Sequence, residues 1–344
     1  MSVLLEAASR LTTPFLPDDY LTLVNPLWST RELRGRVEAV LPETADAATI
    51  VVRPARGWPT HRAGQYVRVG VDIDGVRHWR TYSLTSPAAR NDGRFSFTVK
   101  AIPDGIVSNH LVRRLAVGDV LRLEPPQGEF VLPDPLPRKV LFLTGGSGVT
   151  PVMGMLRSHD LPDVVHVHGA PTRDAVVFGA ELRSRVSSSY VLHEFHDDTT
   201  GMFGLDRLDE VCPDWRDREV WVCGPGPLMD AAEVHWRDAG LPDRLRLERF
   251  RPRLLADAGE GGDVVFARSA TTVSADGTTA LLDAGEAAGV LMPSGCRMGI
   301  CHGCVVPLLA GRVRDLRTGD VHGDEGDLVQ TCISAAAGPV QLDL

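Results

Sequence analysis

The pattern of apolar and polar positions divides the chain into three stretches, and the first, residues 34–134, predicts short β-strands separated by turns. Strands at this spacing are typical of an antiparallel barrel. A helical pattern over residues 107–115 interrupts the series. The predicted strands are 35–40, 49–53, 65–71, 76–84, 95–100 and 120–124.

The second stretch, residues 135–250, alternates apolar runs with helical patterns, which predicts βαβ units and a parallel sheet. Its expected strands are 140–144, 164–168, 191–195 and 220–223, with helices from Pro151, near Glu181 and over 228–239. The third stretch, residues 263–344, predicts a short helix over 283–288 and a last strand at 340–342.

Composition marks the boundaries between the predicted domains. The proline-rich segment 133–138 cannot continue a central strand, and the glycine- and alanine-rich residues 251–262 predict a flexible linker. Residues 1–33 fit none of these patterns, and they form either an extension packed on a neighbouring surface or a loosely ordered tail. The predicted domains are thus the extension 1–33, a barrel 34–134, an α/β domain 135–250, the linker 251–262 and a third domain 263–344.

Bulk composition narrows the class of function. The 344 residues are 43% hydrophobic and carry a net charge of −9, which argues against nucleic-acid binding. No window approaches 18 apolar residues and the first residues lack a basic region, so we expect neither a membrane span nor a signal peptide. We therefore expect a cytoplasmic protein in which Cys212 and Cys223 are free thiols.

Four cysteines carry the most specific signal. Cys296, Cys301 and Cys304 have the spacing C-x4-C-x2-C, and Cys332 lies 28 positions after the third. This is the ligand pattern of a plant-type [2Fe–2S] cluster, in which three thiolates on one loop hold one iron and reach the second. A structural zinc site is the alternative, but zinc usually takes paired C-x2-C motifs and the sequence has no second one. A disulfide framework is disfavoured, because a chain of this length does not need one.

Two glycine-rich turns in the second stretch predict a dinucleotide site. The first is Gly145-Gly146-Ser147-Gly148-Val149-Thr150-Pro151, in which we expect Thr150 to be the N-cap and Pro151 the first helical residue. Its glycines would let a pyrophosphate approach the main chain at a helix N-terminus. The second turn, Cys223-Gly224-Pro225-Gly226, repeats the arrangement. Two such turns at the carboxyl ends of parallel strands would flank one crevice, where open α/β sheets bind ligands.

A nicotinamide cofactor together with a [2Fe–2S] cluster implies a flavin. NAD(P)H delivers two electrons as a hydride, the cluster accepts one electron at a time, and a flavin converts between them. The first stretch contains Arg80-Thr81-Tyr82-Ser83 at the end of a strand. There Arg80 can pair with a phosphate, Tyr82 can pack on the flavin and Ser83 can hydrogen-bond the ring. The alternative is an edge strand with an exposed arginine.

These motifs stand in the order found in the ferredoxin–NADP⁺ reductase superfamily, which the chain resembles over about residues 34–344. In that family R-x-Y-S binds flavin, the first glycine turn binds nicotinamide dinucleotide, and C-G-P borders the nicotinamide pocket. The domain order is similar to that of the phthalate dioxygenase reductase and phenylacetate-hydroxylase reductase branches. The resemblance implies an antiparallel flavin-binding barrel, a parallel α/β nicotinamide domain and a β-grasp [2Fe–2S] domain.

The resemblance also assigns single residues around the flavin. Gly105 and Ser108 match the family's pyrophosphate-binding G-x-x-S, which favours FAD, with FMN as the alternative. Glu248 and Phe250 stand where the family places an acidic residue and an aromatic ring beside the flavin, although Phe250 can equally be a core residue. The expected catalytic residues are Ser83, Cys223 and Glu248.

Two further positions concern the nucleotide and the cluster. Arg173 follows the second parallel strand, where the family contacts the adenosine ribose or its 2′-phosphate. Such an arginine leaves both NADPH and NADH open. His302 lies between the second and third cysteines, and we do not expect it to displace a thiolate.

A narrower resemblance concerns the acceptor. Residues 13–20 and 25–29 look like segments of actinobacterial reductases that serve membrane-bound acyl-CoA desaturases. The leading hypothesis is an NAD(P)H-dependent flavin and [2Fe–2S] reductase that supplies a stearoyl-CoA desaturase and meets the membrane through this partner. The alternative acceptors are a Rieske dioxygenase and a haem monooxygenase. Two other hypotheses are a flavin and iron–sulfur redox sensor and the electron-transfer subunit of dihydroorotate dehydrogenase, which should lack the third stretch.

Overall fold

The structure, a computed structural model, describes residues 17–90, 92–250 and 259–344. The helices are α1 (Pro17–Val24), α2 (Ile106–Arg113), α3 (Val149–Ser158), α4 (Gly179–Ser184), α5 (Leu208–Val211), α6 (Gly226–Asp238) and α7 (Leu281–Ala287). The strands are β1 (Leu33–Thr44), β2 (Ala47–Pro54), β3 (Tyr66–Ile73), β4 (Val76–Ser83), β5 (Phe95–Lys100), β6 (Val120–Leu123), β7 (Val140–Gly145), β8 (Val164–Ala170), β9 (Tyr190–His196), β10 (Glu219–Cys223), β11 (Leu245–Leu247), β12 (Gly262–Phe266), β13 (Thr271–Ala275), β14 (Val305–Ala310), β15 (Val313–Asp315), β16 (Val321–His322), β17 (Leu328–Gln330), β18 (Ser334–Ala336) and β19 (Val340–Leu342).

The described chain forms two compact units. One consists of residues up to Arg77 together with Thr81–Glu248, and the other of His78–Arg80 together with Arg249–Leu344. The first unit contains both the barrel and the parallel sheet, and the second contains the cysteine-bearing sheet. The finer domain limits expected from composition stay predictions.

The first sheet has six strands in the order β4-β3-β6-β1-β2-β5. The pairs β1–β2, β1–β6, β2–β5 and β3–β6 are antiparallel. An antiparallel bridge between Leu84 and Phe97 joins its two edges, which closes the sheet. Alternate side chains such as Val37, Ile50 and Leu121 fill the interior, as the period of two requires. The predicted antiparallel barrel is confirmed.

The second sheet is parallel, in the order β11-β10-β7-β8-β9. Buried side chains cover both of its faces, Phe142 and Val164 on one and Leu141 and Val220 on the other. This double burial explains why its strands appear in the sequence as continuous apolar runs. The sequence pattern missed β11, because three residues are too short to show a period.

The second compact unit contains a mixed five-stranded sheet, β13-β12-β19-β14-β17, and a smaller sheet, β16-β15-β18. The pair β12–β19 is parallel, while β12–β13, β14–β19 and β14–β17 are antiparallel. Leu281 and Leu282 of α7 pack with Phe266 and Leu308 in one core. The helix predicted over 283–288 thus starts two residues earlier, and the strand predicted at 340–342 is present.

The described part of the predicted N-terminal extension is held by a buried carboxylate. Asp18 accepts hydrogen bonds from the Ser29 hydroxyl at 2.7 Å and from the Thr30 main-chain N–H at 2.9 Å. Burial acts to raise the pKa of Asp18, but the donors on Thr30 and Ser29 lower it overall. The carboxylate therefore fastens α1 to the segment before β1. Residues 1–16 lie outside the described residues.

A buried arginine ties together the amino ends of the parallel strands. Arg218, whose side chain is 6% exposed, donates from Nε to Asp214 at 2.7 Å and from Nη1 to Asp163 at 2.8 Å. It also donates to the Val140 carbonyl at 3.3 Å. Hydrogen bonds from Arg218 and Lys139 hold the pKa of Asp214 far below its usual range, although burial acts to raise it.

Arg218→Met should lower the free energy of unfolding by about 2–3 kcal/mol, because two partly buried carboxylates lose their cation. Urea unfolding followed by tryptophan fluorescence measures this, since Trp215 is buried nearby. The matched control is Arg237→Met, since Arg237 is 66% exposed and pairs with Asp238 at the surface. We expect this control to change stability by less than about 0.5 kcal/mol. Equal losses in the two variants would contradict the assignment.

Candidate functional site

The two glycine turns lie side by side at the carboxyl edge of the parallel sheet. β7 and β10 are neighbours, and Thr144 lies opposite Cys223. A side chain on Gly148 would overlap the carbonyl oxygen of Cys223, so only glycine permits this approach. The turns therefore border one crevice, at the edge where open α/β sheets bind nucleotides.

The helix after the first turn starts earlier than expected. Gly146–Gly148 form a 3-10 turn that continues into α3 at Val149. The predicted N-cap role of Thr150 is wrong, because Gly148 before the helix already has helical dihedral angles (φ −62°, ψ −10°). An N-cap residue is extended instead. The Thr150 hydroxyl donates to the Ser147 carbonyl at 2.9 Å, and Pro151 is the third helical residue rather than the first.

Beneath the first turn lies a buried polar network that sequence reasoning missed. The Thr144 hydroxyl bonds Nε2 of His166 at 2.7 Å and Nδ1 of His168 at 2.8 Å, and Nδ1 of His166 bonds the Tyr190 hydroxyl at 2.7 Å. Burial lowers the pKa of His168 to about 3 and that of His166 well below its usual value, so both rings are neutral. The signal was present, since the two histidines occupy alternate positions of an apolar strand.

The R-x-Y-S segment forms the last four residues of β4, so its side chains point alternately to the two faces of the sheet. The Tyr82 ring stacks on Phe97, with ring centres 5.3 Å apart. The Ser83 hydroxyl is buried and has no hydrogen-bond partner among the described residues. A buried hydroxyl left without a partner costs about 1–3 kcal/mol, so this atom fits a bound ring that supplies one. Nη1 of Arg80 donates to the Trp79 carbonyl at 2.8 Å, and its contact with a phosphate stays a prediction.

The G-x-x-S segment forms the start of α2. The Ser108 hydroxyl accepts from the Ile102 N–H at 3.2 Å and donates to the Gly105 carbonyl at 3.2 Å. The Asn109 side-chain amide donates to the carbonyls of Ile102 and Gly105, each at 2.9 Å. Ser108 therefore fixes the loop, and the first N–H groups of α2 remain available for a phosphate, as helix N-termini leave them.

Cys223 is fully buried and Glu248 is partly buried, and both are electrically neutral at pH 7. The Glu248 N–H donates to the Val222 carbonyl at 3.1 Å, which places it beside the end of β10. Burial raises the pKa of Glu248 to about 8, and its Oε2 has no hydrogen-bond partner among the described residues. Burial raises the pKa of the Cys223 thiol well above its usual value, and the Glu248 carboxyl adds a smaller increase. Neither group is therefore a ready base, and Glu248 can donate a hydrogen bond.

The other predicted contacts are less enclosed. Arg173 lies in an exposed turn after β8, where its carbonyl accepts from Nη2 of Arg183 at 3.2 Å. Its contact with the nucleotide stays a prediction. Phe250 is 39% exposed and belongs to the second compact unit, and its stacking on the flavin stays a prediction.

Side-chain interactions couple the four predicted ligand cysteines in two pairs, Cys304 with Cys332 and Cys296 with Cys301. The Cys332 thiol donates to the sulfur of Cys304, which lowers the pKa of Cys304 to about 6. A side-chain hydrogen bond likewise couples Cys296 and Cys301. Two thiolates for each of two irons is the arrangement that a [2Fe–2S] cluster requires.

The loop that holds the cysteines aims main-chain N–H groups at sulfur. The Cys296 and Gly303 amides donate to the sulfur of Cys301 at 3.1 and 3.3 Å, and the Met298 amide donates to that of Cys296 at 3.3 Å. Burial acts to raise the pKa of Cys296, but the amides lower it overall, so the thiolate is favoured. Nδ1 of His302 bonds the Gln330 side chain at 3.1 Å, and the expectation that His302 does not displace a thiolate stays a prediction.

Comparisons with known proteins agree with this geometry. Residues 59–132 match the family described as oxidoreductase FAD-binding domain, and residues 265–337 match the 2Fe-2S iron-sulfur cluster binding domain. An NADPH oxidoreductase of Mycobacterium tuberculosis is 51% identical over 346 residues, covering 98% of this chain and 91% of that protein. The chain belongs to the NAD(P)H-dependent flavin and [2Fe–2S] reductases.

A second relative and a solved structure are also similar to this reductase. A glycine betaine monooxygenase reductase subunit of Pseudomonas aeruginosa is 30% identical, over 82% of this chain and 87% of that one. The solved structure of phthalate dioxygenase reductase matches with a TM-score of 0.64 and 25% identity, covering 91% of this chain and 98% of that one. The expected fold class, enzyme class and cofactors (FAD, NAD(P)H and one [2Fe–2S] cluster) are confirmed. In the described ranges, no helix is both long and apolar enough to cross a membrane.

Cys301→Ser in the reductase should abolish the rhombic electron paramagnetic resonance signal of the dithionite-reduced cluster, because one iron loses a thiolate. Bound FAD should remain, since the cysteines and the G-x-x-S segment lie in different compact units. Cys212→Ser is the matched control, a buried cysteine of the first unit. An intact signal in Cys301→Ser, or zinc without labile sulfide in protein prepared without air, would overturn the cluster assignment.

Glu248→Gln should remove a pH-dependent loss of stability. Folded Glu248 keeps its proton up to about pH 8, whereas the unfolded chain ionises near the ordinary value of 4.5. Between these values the folded state binds the extra proton, so its free energy of unfolding falls as the pH rises and then levels off. Urea midpoints measured from about pH 5 to about pH 9 should decline in the reductase relative to Glu248→Gln. Parallel profiles would show that the carboxyl ionises normally.

Proposed function

We propose that the reductase passes single electrons from NADPH, through FAD and the [2Fe–2S] cluster, to a separate oxygen-activating enzyme. We further propose that this acceptor is a membrane-bound acyl-CoA desaturase. The glycine betaine monooxygenase reductase subunit supports the general part, because its name assigns it to an oxygen-activating system. The observation that carries the specific part is the exposed apolar surface of the N-terminal segment.

The residues divide the work between binding and electrostatics. A bound flavin would supply the conversion of a two-electron hydride into single electrons. The turn at Gly145–Gly148 offers its N–H groups to the dinucleotide, and the unpartnered Ser83 hydroxyl orients the flavin ring. Glu248 and Cys223 contribute electrically neutral groups at the end of β10. No acid–base pair is required, because the rate depends on distance and orientation.

NADPH is the proposed electron donor. Arg173 is exposed at the carboxyl end of β8, where a guanidinium can pair with a 2′-phosphate. The relative from Mycobacterium tuberculosis is named an NADPH oxidoreductase, which supports the same choice.

The N-terminal apolar surface consists of Tyr20, Leu23, Val24 and Trp28. Leu23 is 84% exposed and Trp28 is 50% exposed, so a large share of their apolar surface faces solvent. Exposed apolar groups with Tyr and Trp among them are typical of contacts with a partner or a bilayer surface. This surface lies in the segment that resembles desaturase reductases, and it supports a cytoplasmic protein that meets the membrane at its partner.

A Rieske dioxygenase or a haem monooxygenase is the second candidate acceptor. Both enzymes take the same single electrons, and the likeness to phthalate dioxygenase reductase favours the first of them. The N-terminal apolar surface distinguishes the hypotheses, because a freely dissolved oxygenase gives no reason for an apolar contact at a bilayer.

Reconstitution tests the acceptor. The reductase, NADPH, stearoyl-CoA and membranes containing a desaturase should together yield oleate, and replacing NADPH by NADH should lower the yield. Failure to form oleate, while a ring-hydroxylating oxygenase is driven efficiently by the same preparation, would leave only the general reductase function.

Leu23→Gln should lower the oleate yield several-fold and leave cytochrome c reduction unchanged, because the substitution touches the N-terminal apolar surface only. Val117→Gln is the matched control, since Val117 is 67% exposed and lies elsewhere in the first unit. If both variants lose oleate equally, the N-terminal apolar surface has no special role in docking.

A further inference from the structure

Helix α3 links the two cofactor-binding segments of the reductase. Its amino end continues from the dinucleotide turn Gly146–Gly148. Farther along, the same helix lies on residues 84–88, which directly follow the R-x-Y-S segment at Ser83. Both contacts lie within the first compact unit. One short rigid element therefore touches both sites.

The first contact joins main chain to main chain. A Cβ on Gly154 would lie 2.5 Å from the carbonyl oxygen of Leu84. This is roughly 1 Å nearer than the ~3.5 Å of an ordinary contact. The helix can lie this close to Leu84, the first residue after β4, only because position 154 has no side chain.

The second contact is a charged clamp. Arg157, whose side chain is 20% exposed, donates from Nη1 to the Thr85 carbonyl at 2.8 Å and from Nε to Glu181 at 3.0 Å. Its guanidinium also lies over the Phe178 ring, 4.7 Å from the ring centre. Burial acts to raise the pKa of Glu181, but hydrogen bonds from Arg157 and Arg185 lower it, so it is a carboxylate. Glu181 and Phe178 of the α/β part therefore fix the guanidinium of Arg157, and its Nη1 then donates to the Thr85 carbonyl after β4.

The third contact fixes the end of the helix. The Ser158 hydroxyl accepts from the Ala88 N–H at 3.0 Å and donates to the Gly154 carbonyl at 2.7 Å. The segment after β4 is therefore held at residues 84, 85 and 88 by positions 154, 157 and 158, which share one face of α3.

Thr85, which Arg157 contacts, is also held from the barrel by a network of buried hydroxyls. The Thr85 hydroxyl bonds those of Ser96 at 3.1 Å and Thr98 at 3.2 Å. Thr98 in turn bonds Thr49 at 2.7 Å, and Thr49 donates to Glu43 at 2.6 Å. All four hydroxyls are buried. Such a hydrogen-bonded network resists displacement of Thr85. A shift of α3 therefore also moves the adjoining R-x-Y-S segment at the end of β4.

We propose that Gly154, Arg157 and Ser158 are positioning residues that set the distance between nicotinamide and flavin, and so control hydride transfer rather than the binding of either cofactor. The proposal rests on the assignment of residues 80–83 to flavin and of the turn at 145–148 to the dinucleotide. Hydride transfer needs reacting atoms about 3–3.5 Å apart, and a displacement of about 1 Å can slow it about a hundredfold.

Anaerobic stopped-flow reduction by NADPH, with and without deuterium at the transferred position, tests the proposal. Arg157→Met should slow flavin reduction about tenfold or more and weaken the nicotinamide–flavin charge-transfer absorption. The flavin content and the dissociation constant of NADPH should stay within about twofold of the wild-type values. Arg157→Lys should recover most of the rate, because an ammonium can still donate to the Thr85 carbonyl.

Two further variants separate positioning from folding. Gly154→Ala should slow flavin reduction although alanine has a higher helix propensity than glycine, so weakened helix formation would not explain the loss. Arg185→Met is the matched control, because Arg185 bonds the same Glu181 and the Leu156 carbonyl but not the barrel strand. Equal slowing in Arg157→Met and Arg185→Met would overturn the proposal. Flavin loss at an unchanged rate in the remaining holoprotein would also overturn it, whereas absent reduction of wild-type flavin by NADPH would reject the cofactor assignment itself.

Discussion

Close approach of main chains is the constraint on which the first compact unit depends. At Gly148 it brings the dinucleotide turn against the carbonyl of Cys223, and at Gly154 it brings α3 against the carbonyl of Leu84. Each glycine costs about 0.5–1 kcal/mol in conformational entropy, which is small beside the several kcal/mol that correct orientation of two reactants can supply. A larger side chain at either position would separate elements that must meet.

The hydrophobic pattern was sufficient to predict the barrel and the parallel sheet and their order along the chain, but in the third stretch it predicted only β19 among eight strands. Continuous apolar runs marked the parallel strands, which are buried on both faces, and short runs separated by turns marked the barrel. The N-cap at Thr150 was wrong for a local reason, since the turn before α3 is already helical and needs no extended cap residue. Strand β11 and helix α1 were missed because three and eight residues give too little periodicity to read.

Polar contacts between distant elements could not be predicted. Arg157 bonds Thr85 across 72 positions, and Thr144 bonds His168 across 24, so neither pair leaves a local spacing in the sequence. The sequence does show polar residues within an otherwise apolar strand, such as His166 and His168. A buried polar group must find a partner, so each such residue indicates a network without naming its other members.

The cluster cysteines show the same division between local and long-range information. The spacing of Cys296, Cys301 and Cys304 is a property of one loop, and loop geometry alone can present these sulfurs. Cys332 reaches Cys304 only because β14 and β17 pair in a fixed register, with Val305 opposite Gln330. A slip of one residue would turn the side chains of β17 to the opposite face and carry Cys332 away. The buried positions of β14 and β17, such as Val306 and Val329, resist that slip, so the apolar core of the sheet decides whether the second iron has both of its ligands.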